Sequence, residues 1–147
     1  MNNAIPLSPM HTTTYSVQYD DFTAKVQLTG DWSLYHLAET LIDEVRFDFD
    51  HAFGFYDNLR NPYRSSEKYT LFADLGQPEH DEPGVEETMA ADVFKPGKSM
   101  VLLFDYGDDW MFPVTCESVG PSKAKRASRK VLERKGKPPE QYPAEDW

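Results

Sequence analysis

A single cysteine, Cys116, is all the chain contains, so no disulfide can form within it. No CxxC, HExxH or Cys/His array is present either, which leaves no pattern for a structural zinc site. Cys116 lies in a strand-like run, MFPVTCESV, where a buried, inert thiol is expected, and a reducing cytoplasm is the natural compartment. No stretch approaches the roughly 20 apolar residues of a membrane span. The opening MNNAIPLSPMHTTT has no basic start and no continuous apolar core, so no signal peptide is expected there. The nucleophile elbow GxSxG, the phosphate-binding GxxxxGK and the dinucleotide-binding GxGxxG are also missing. The histidines His11, His36, His51 and His80 are scattered, and none stands beside a nucleophile in a known motif. The sequence therefore assigns no catalytic residue, no metal and no cofactor, although catalytic groups distant in sequence leave no such local trace.

Basic residues are scarce over most of the chain. Residues 1–122 hold 7 Lys and Arg against 21 Asp and Glu, a balance of −14. Residues 123–137 reverse this, with 8 against 1. An acidic body repels polyanions, so nucleic acid is a partner only through the basic segment 123–137, with Lys123, Lys125, Arg126, Arg129 and Lys130 as candidate phosphate contacts. The other reading folds that segment against the acidic body or leaves it as a solvated face, and the balance favours it.

What is present is a folded pattern. At 147 residues, with 39% hydrophobic and 14% aromatic content, the chain is expected to form one domain over residues 13–147, preceded by a loose tail over 1–12 and closed by an extended, proline-bearing C-terminal segment. Tyr15 to Tyr19 and Phe22 to Leu28 alternate as two strands, joined by a tight turn at Asp20 and Asp21. Asp31 or Ser33 can cap a helix from about Leu34 to Phe47, with Leu34, Leu37, Leu41, Ile42 and Val45 at helical spacing. His51 to Leu59 and Tyr69 to Leu75 read as strands, Gln77 to Gly84 as an acidic loop, and Glu86 to Phe94 as a short helix. Met100 to Tyr106 and Met111 to Val119 are the strongest strands, and Ser128 to Glu133 reads as a strand or a helical turn. The expected fold class is α+β: a mainly antiparallel twisted sheet packed against one long helix, about Leu34 to Phe47, and one short helix.

Two acidic groupings are candidates for binding. In FDYGDDW, Gly107 suits a reverse turn whose backbone Asp108 and Asp109 can bond, and Trp110 re-enters the sheet; that reading needs no ligand. The alternative gathers Asp105, Asp108 and Asp109 for a divalent cation or for acid–base work. In DFDH, Asp48, Asp50 and His51 could bind a metal at a helix-to-strand junction or end the helix and face water; strand alternation would set Asp48 and Asp50 on one side and His51 on the other, which favours the solvated junction. The nearby aromatics Phe47, Phe49, Phe53, Phe55 and Tyr56 could stack bases with Arg60 and Arg64, but are expected to build the core.

The string FDYGDDW, preceded by VLL and followed by a strand, resembles the signature of the plasmid Ri open-reading-frame-three-like family, with Phe104, Asp105, Tyr106, Gly107, Asp108 and Trp110 in its places. The stretch LYHLAETLIDEVRFDFDHAFGFYDNL is similar to that family's helix leading into an Asp-His-aromatic strand, and VLERKGKPPEQYP resembles its closing Gly-x-x-Pro-Pro-Glu segment. The likeness covers about Tyr15 to Pro143 and implies a compact α+β fold. It implies no activity, and the resolvase-like or repressor-like labels of some relatives are not carried over, because no catalytic resolvase motif is visible.

Three functions follow as expectations. The first is a cytoplasmic, non-enzymatic binding or interaction module with a protein partner, whose surface is Asp105, Asp108, Asp109 and Trp110, joined by Asp48, Asp50 and His51 if the fold brings them near. The second is a nucleic-acid-associated accessory protein of mobile elements, acting through segment 123–137. The third is a metal-dependent enzyme built on Asp105, Asp108 and Asp109, with Asp48 and His51.

Overall fold

Alternating side chains decide the first hairpin. In the structure, a computed structural model that describes residues 10–143, β1 (His11–Tyr19) and β2 (Phe22–Thr29) pair antiparallel with Tyr19 opposite Phe22. Asp20 takes the left-handed conformation that so short a loop demands. Tyr15, Val17, Phe22, Ala24, Val26 and Leu28 are all buried, as period-two patterning requires. Most of the expected N-terminal tail, residues 1–9, lies outside the described residues, as do 144–147; β1 begins at His11.

The strands β3 (Phe53–Tyr56), β4 (Lys68–Thr70), β5 (Ser99–Phe104), β6 (Trp110–Pro121) and β7 (Ser128–Lys135) complete one seven-stranded sheet in the order β4-β3-β5-β6-β1-β2-β7. Every neighbouring pair is antiparallel. Val101 to Phe104 are buried throughout because this part of the sheet is covered on both faces. Leu102 and Phe104 join the main core, whereas Val101 and Leu103 join a smaller cluster with Tyr56, Tyr106 and Met111. The aromatics Phe47, Phe53 and Phe55 are core residues, and Cys116 is fully buried.

The expected long helix is corrected. Among the described residues the chain is mostly antiparallel sheet, the one helix longer than four residues is α1 (Leu34–Glu44), and no long helix packs on the sheet. Helix α1 stops short of Phe47 because Arg46 turns left-handed. Its amide bonds the Asp43 carbonyl and that of Phe47 bonds Ile42, the paired closure of a Schellman motif. At the other end Ser33 caps His36, while the amides of Leu34 and Tyr35 donate to the carbonyls of Thr88 and Val85. That duty keeps residues 85–88 non-helical and shortens the second expected helix to Ala90–Val93. The expected strand over Tyr69 to Leu75 likewise ends at Thr70, whose hydroxyl caps the four-residue helix Leu71–Asp74.

Candidate functional site

Strand β5 ends at Phe104 because Asp105 has a left-handed backbone, φ +68°. That break sends Tyr106 to the sheet face opposite Phe104, where strand alternation alone would have put both on one face. The amide of Asp105 donates to the Ala52 carbonyl, and its Oδ1 accepts from the amides of Gly107 at 3.0 Å and Asp108 at 3.3 Å. Asp105 therefore organises the turn from within, and only 8% of it is exposed. Its second oxygen, Oδ2, lies 3.3 Å from His51 Nε2.

His51 joins this turn to two further segments. Its Nε2 is 2.8 Å from the Tyr142 hydroxyl oxygen and 3.6 Å from Asp50 Oδ1. The Tyr142 hydroxyl donates to Asp50 Oδ2 at 2.9 Å, so Nε2 is placed to be the donor toward Tyr142. Partial desolvation, the bond to Asp50 and the charges of Asp50, Asp105 and Asp108 push the exposed Tyr142 phenol up to about 12, which keeps it a neutral donor. Gln141 completes the arrangement: its Oε1 accepts from the Asp48 amide at 2.7 Å, and its Nε2 donates to the Asp48 carbonyl and to Asp50 Oδ1, both at 3.1 Å.

The loop at Asp48 to His51 is not an extended strand, so the expected separation of Asp50 from His51 does not occur. The structure brings together Asp50, His51 and Asp105, and holds Asp48 through its backbone. It does not gather Asp105, Asp108 and Asp109. Asp109 accepts from the Tyr63 hydroxyl, Asp108 is exposed, and Asp105 is engaged by turn amides. Among the described residues no three His, Cys, Asp or Glu side chains are placed to hold a metal ion. Trp110 packs against Phe47, Tyr19 and Phe112, and its buried indole N–H finds no hydrogen-bond partner among the described residues.

The basic candidates divide. Arg129 donates to Thr40 and pairs with Asp43, both at 3.3 Å, and Arg134 pairs with Glu44 at 2.6 Å. Lys123, Lys125, Arg126 and Lys130 are exposed and form no ion pair among the described residues. Gln141 and Tyr142 are site residues that sequence reasoning missed. They lie in the proline-bearing closing segment, but no local pattern signals that it folds back onto Asp48 to His51.

A seven-stranded antiparallel sheet carrying an Asp–Tyr–Gly–Asp turn, with a closing segment bonded to the loop at Asp48 to His51, defines a class of small sheet proteins. The model of the plasmid pRiA4b ORF-3-like protein family matches residues 16–145, and the chain belongs to that family. It is similar in fold to a protein of unknown function, MM3350 from Methanosarcina mazei Go1 (TM-score 0.66, 16% identity, covering 86% of this chain and 71% of that one). No functionally curated protein matches the chain. Among the described residues, no helix is long and apolar enough to cross a membrane.

Proposed function

We propose that the chain is a non-enzymatic binding module that takes a basic segment of a protein partner at the His51 patch. The observation that carries this reading is the 3.3 Å approach of His51 to Asp105, which closes two acidic loops into one surface. Near it stand the exposed carboxylates of Asp50 and Asp108, with Tyr142, 57% exposed, bonded to Asp50. Carboxylates beside an exposed tyrosine ring suit lysine or arginine, by charge and by cation–π attraction. The −14 balance of residues 1–122 would draw such a segment in. His51 Nε2 faces a phenol and a carboxylate rather than a serine or cysteine nucleophile, which supports binding over catalysis. A cytoplasmic setting belongs to the same proposal, since the single buried cysteine needs no oxidising compartment.

Fluorescence anisotropy with a labelled Lys/Arg-rich peptide tests the reading. Binding should weaken with salt, and an Asp50→Asn, Asp108→Asn double variant should lose about tenfold in affinity. Equal binding by the variant, or none by the wild type, sinks it. Preferential binding of an oligonucleotide, lost in a Lys123→Ala, Lys125→Ala, Arg126→Ala variant, would favour the nucleic-acid reading instead.

A further inference from the structure

Beside the patch, a cavity of about 590 Å³ opens between α1, the loop that follows it and β7. Trp32, Phe47 and Phe49 line it, together with Glu39, Asp43 and Asp48. Contacts among neighbouring residues hold each ring in place. Trp32 Nε1 donates to the Thr29 carbonyl at 2.9 Å, Phe47 packs on Trp110 with ring centres 4.9 Å apart, and Phe49 packs on Phe53 at 5.1 Å. The walls are thus preformed, and the volume is that of an ordinary ligand site.

The charges in this cavity do not balance. Arg129 lines one wall, donating to Thr40 and pairing with Asp43, so the cavity already accommodates one guanidinium of the chain's own. The carboxylates of Glu39 and Asp48 have no ion pair among the described residues. Two exposed, unpaired carboxylates beside the half-buried rings of Trp32 and Phe49 repel an anion and favour a flat cation. A guanidinium lies on an aromatic face and presents a donor fork that fits a carboxylate, which a compact ammonium does less well.

We propose that this groove takes an arginine side chain of the basic segment recognised at the His51 patch. The assignment rests on that reading of the patch. The two sites are contiguous, because Gln141 clamps the backbone of Asp48 and also bonds Asp50.

The test is a two-dimensional NMR titration of the full chain with an acetylated, amidated tripeptide containing one arginine, alongside its citrulline counterpart of equal shape and no charge. The arginine peptide should shift the Trp32 indole N–H signal saturably, and the citrulline peptide should not. A Glu39→Gln, Asp48→Asn variant should bind about tenfold more weakly, the scale of one charge-assisted contact. Asp50→Asn with Asp108→Asn should leave the Trp32 response in place. An unmoved Trp32 signal, an equal response to citrulline, or undiminished binding by the Glu39→Gln, Asp48→Asn variant overturns the groove. If Lys/Arg-rich peptides still bind with Trp32 unmoved, the groove alone falls; if none binds at all, the patch falls with it. A Trp32 signal that shifts back on dilution of the chain alone would give the groove to the basic segment of a second copy, and overturn its assignment to another protein.

Discussion

His51 Nε2 and Asp105 Oδ2 stand 3.3 Å apart, so the loop before β3 is tied to the turn after β5 by a side-chain contact as well as by the backbone bond from Asp105 to Ala52. Asp105 serves both ends of this tie: one oxygen takes two turn amides and the other faces the imidazole. Replacing Asp105 by Ala removes the acceptor and leaves a non-glycine residue left-handed without the polar side chain that eases it. A loss of about 2 kcal/mol is expected. Asp105→Asn keeps an acceptor and tolerates the backbone, so it should cost less than about 1 kcal/mol. Urea unfolding of the two variants checks the difference, and similar losses would contradict the turn-organising role.

The ion pair of Arg134 with Glu44 gives a second prediction. The Glu44 side chain is only 5% exposed, while Arg134 is 42% exposed. Arg134→Ala leaves a buried carboxylate unpaired and should cost about 1–3 kcal/mol, whereas Glu44→Gln, which removes the charge itself, should cost less. A thermal melt of each variant at neutral pH distinguishes the two, and the reverse order would contradict a cost set by the unpaired Glu44 carboxylate.

Glu82 should shape the acid limb of stability. Burial opposes its ionisation, but the amides of His80 and Glu79 and the Thr70 hydroxyl outweigh that and hold the carboxyl down to about 2, from an ordinary 4.5. A carboxyl depressed in the folded state binds its proton more readily when unfolded. Its contribution is therefore fully present above about 4.5 and fades as pH falls toward about 2. Glu82→Gln should be destabilising at neutral pH and should flatten stability across that window. An acid limb unchanged in slope would remove Glu82 from the account.

Two glycines with the same backbone angle should respond differently to alanine. Gly76 and Gly136 both have φ +79°. A methyl group on Gly76 meets nothing within 4 Å, whereas one on Gly136 would lie 2.2 Å from the Asp21 carbonyl oxygen in the first hairpin. Gly76→Ala should cost about 1 kcal/mol, from the left-handed backbone alone. Gly136→Ala should cost clearly more, because backbone must move. Equal urea midpoints would show that the closing segment passes the hairpin less tightly.

Much of this architecture is local and therefore legible along the chain. The period-two burial of β1 and β2, the two-residue turn at Asp20 and Asp21, the Ser33 cap and the turn in FDYGDDW all depend on neighbours a few positions away. The parts within that turn differ from the expectation: Asp105 and Asp109, not Gly107, are left-handed, and Asp105, not Asp108 or Asp109, bonds its amides. The end of α1 was not legible, since Val45 and Phe47 continue the apolar spacing while Arg46, a good helix former, turns left-handed to let Phe47 pack on Trp110. Nor was the end of β4 at Thr70, where one hydroxyl caps a helix and bonds Glu82.

By itself the sequence determined the strand-rich pattern, the hairpins, the acidic body with its basic segment and the likeness to a family, because these follow from side-chain period, turn chemistry and composition. Tertiary structure alone decided that Tyr142 and Gln141 reach Asp48, Asp50 and His51, that Arg129 and Arg134 turn onto Asp43 and Glu44, and that the Asp109 carboxylate takes the Tyr63 hydroxyl. The physical reason is distance along the chain. A hydrogen bond between groups many residues apart forms only after the sheet has closed, and no local preference of either partner encodes it.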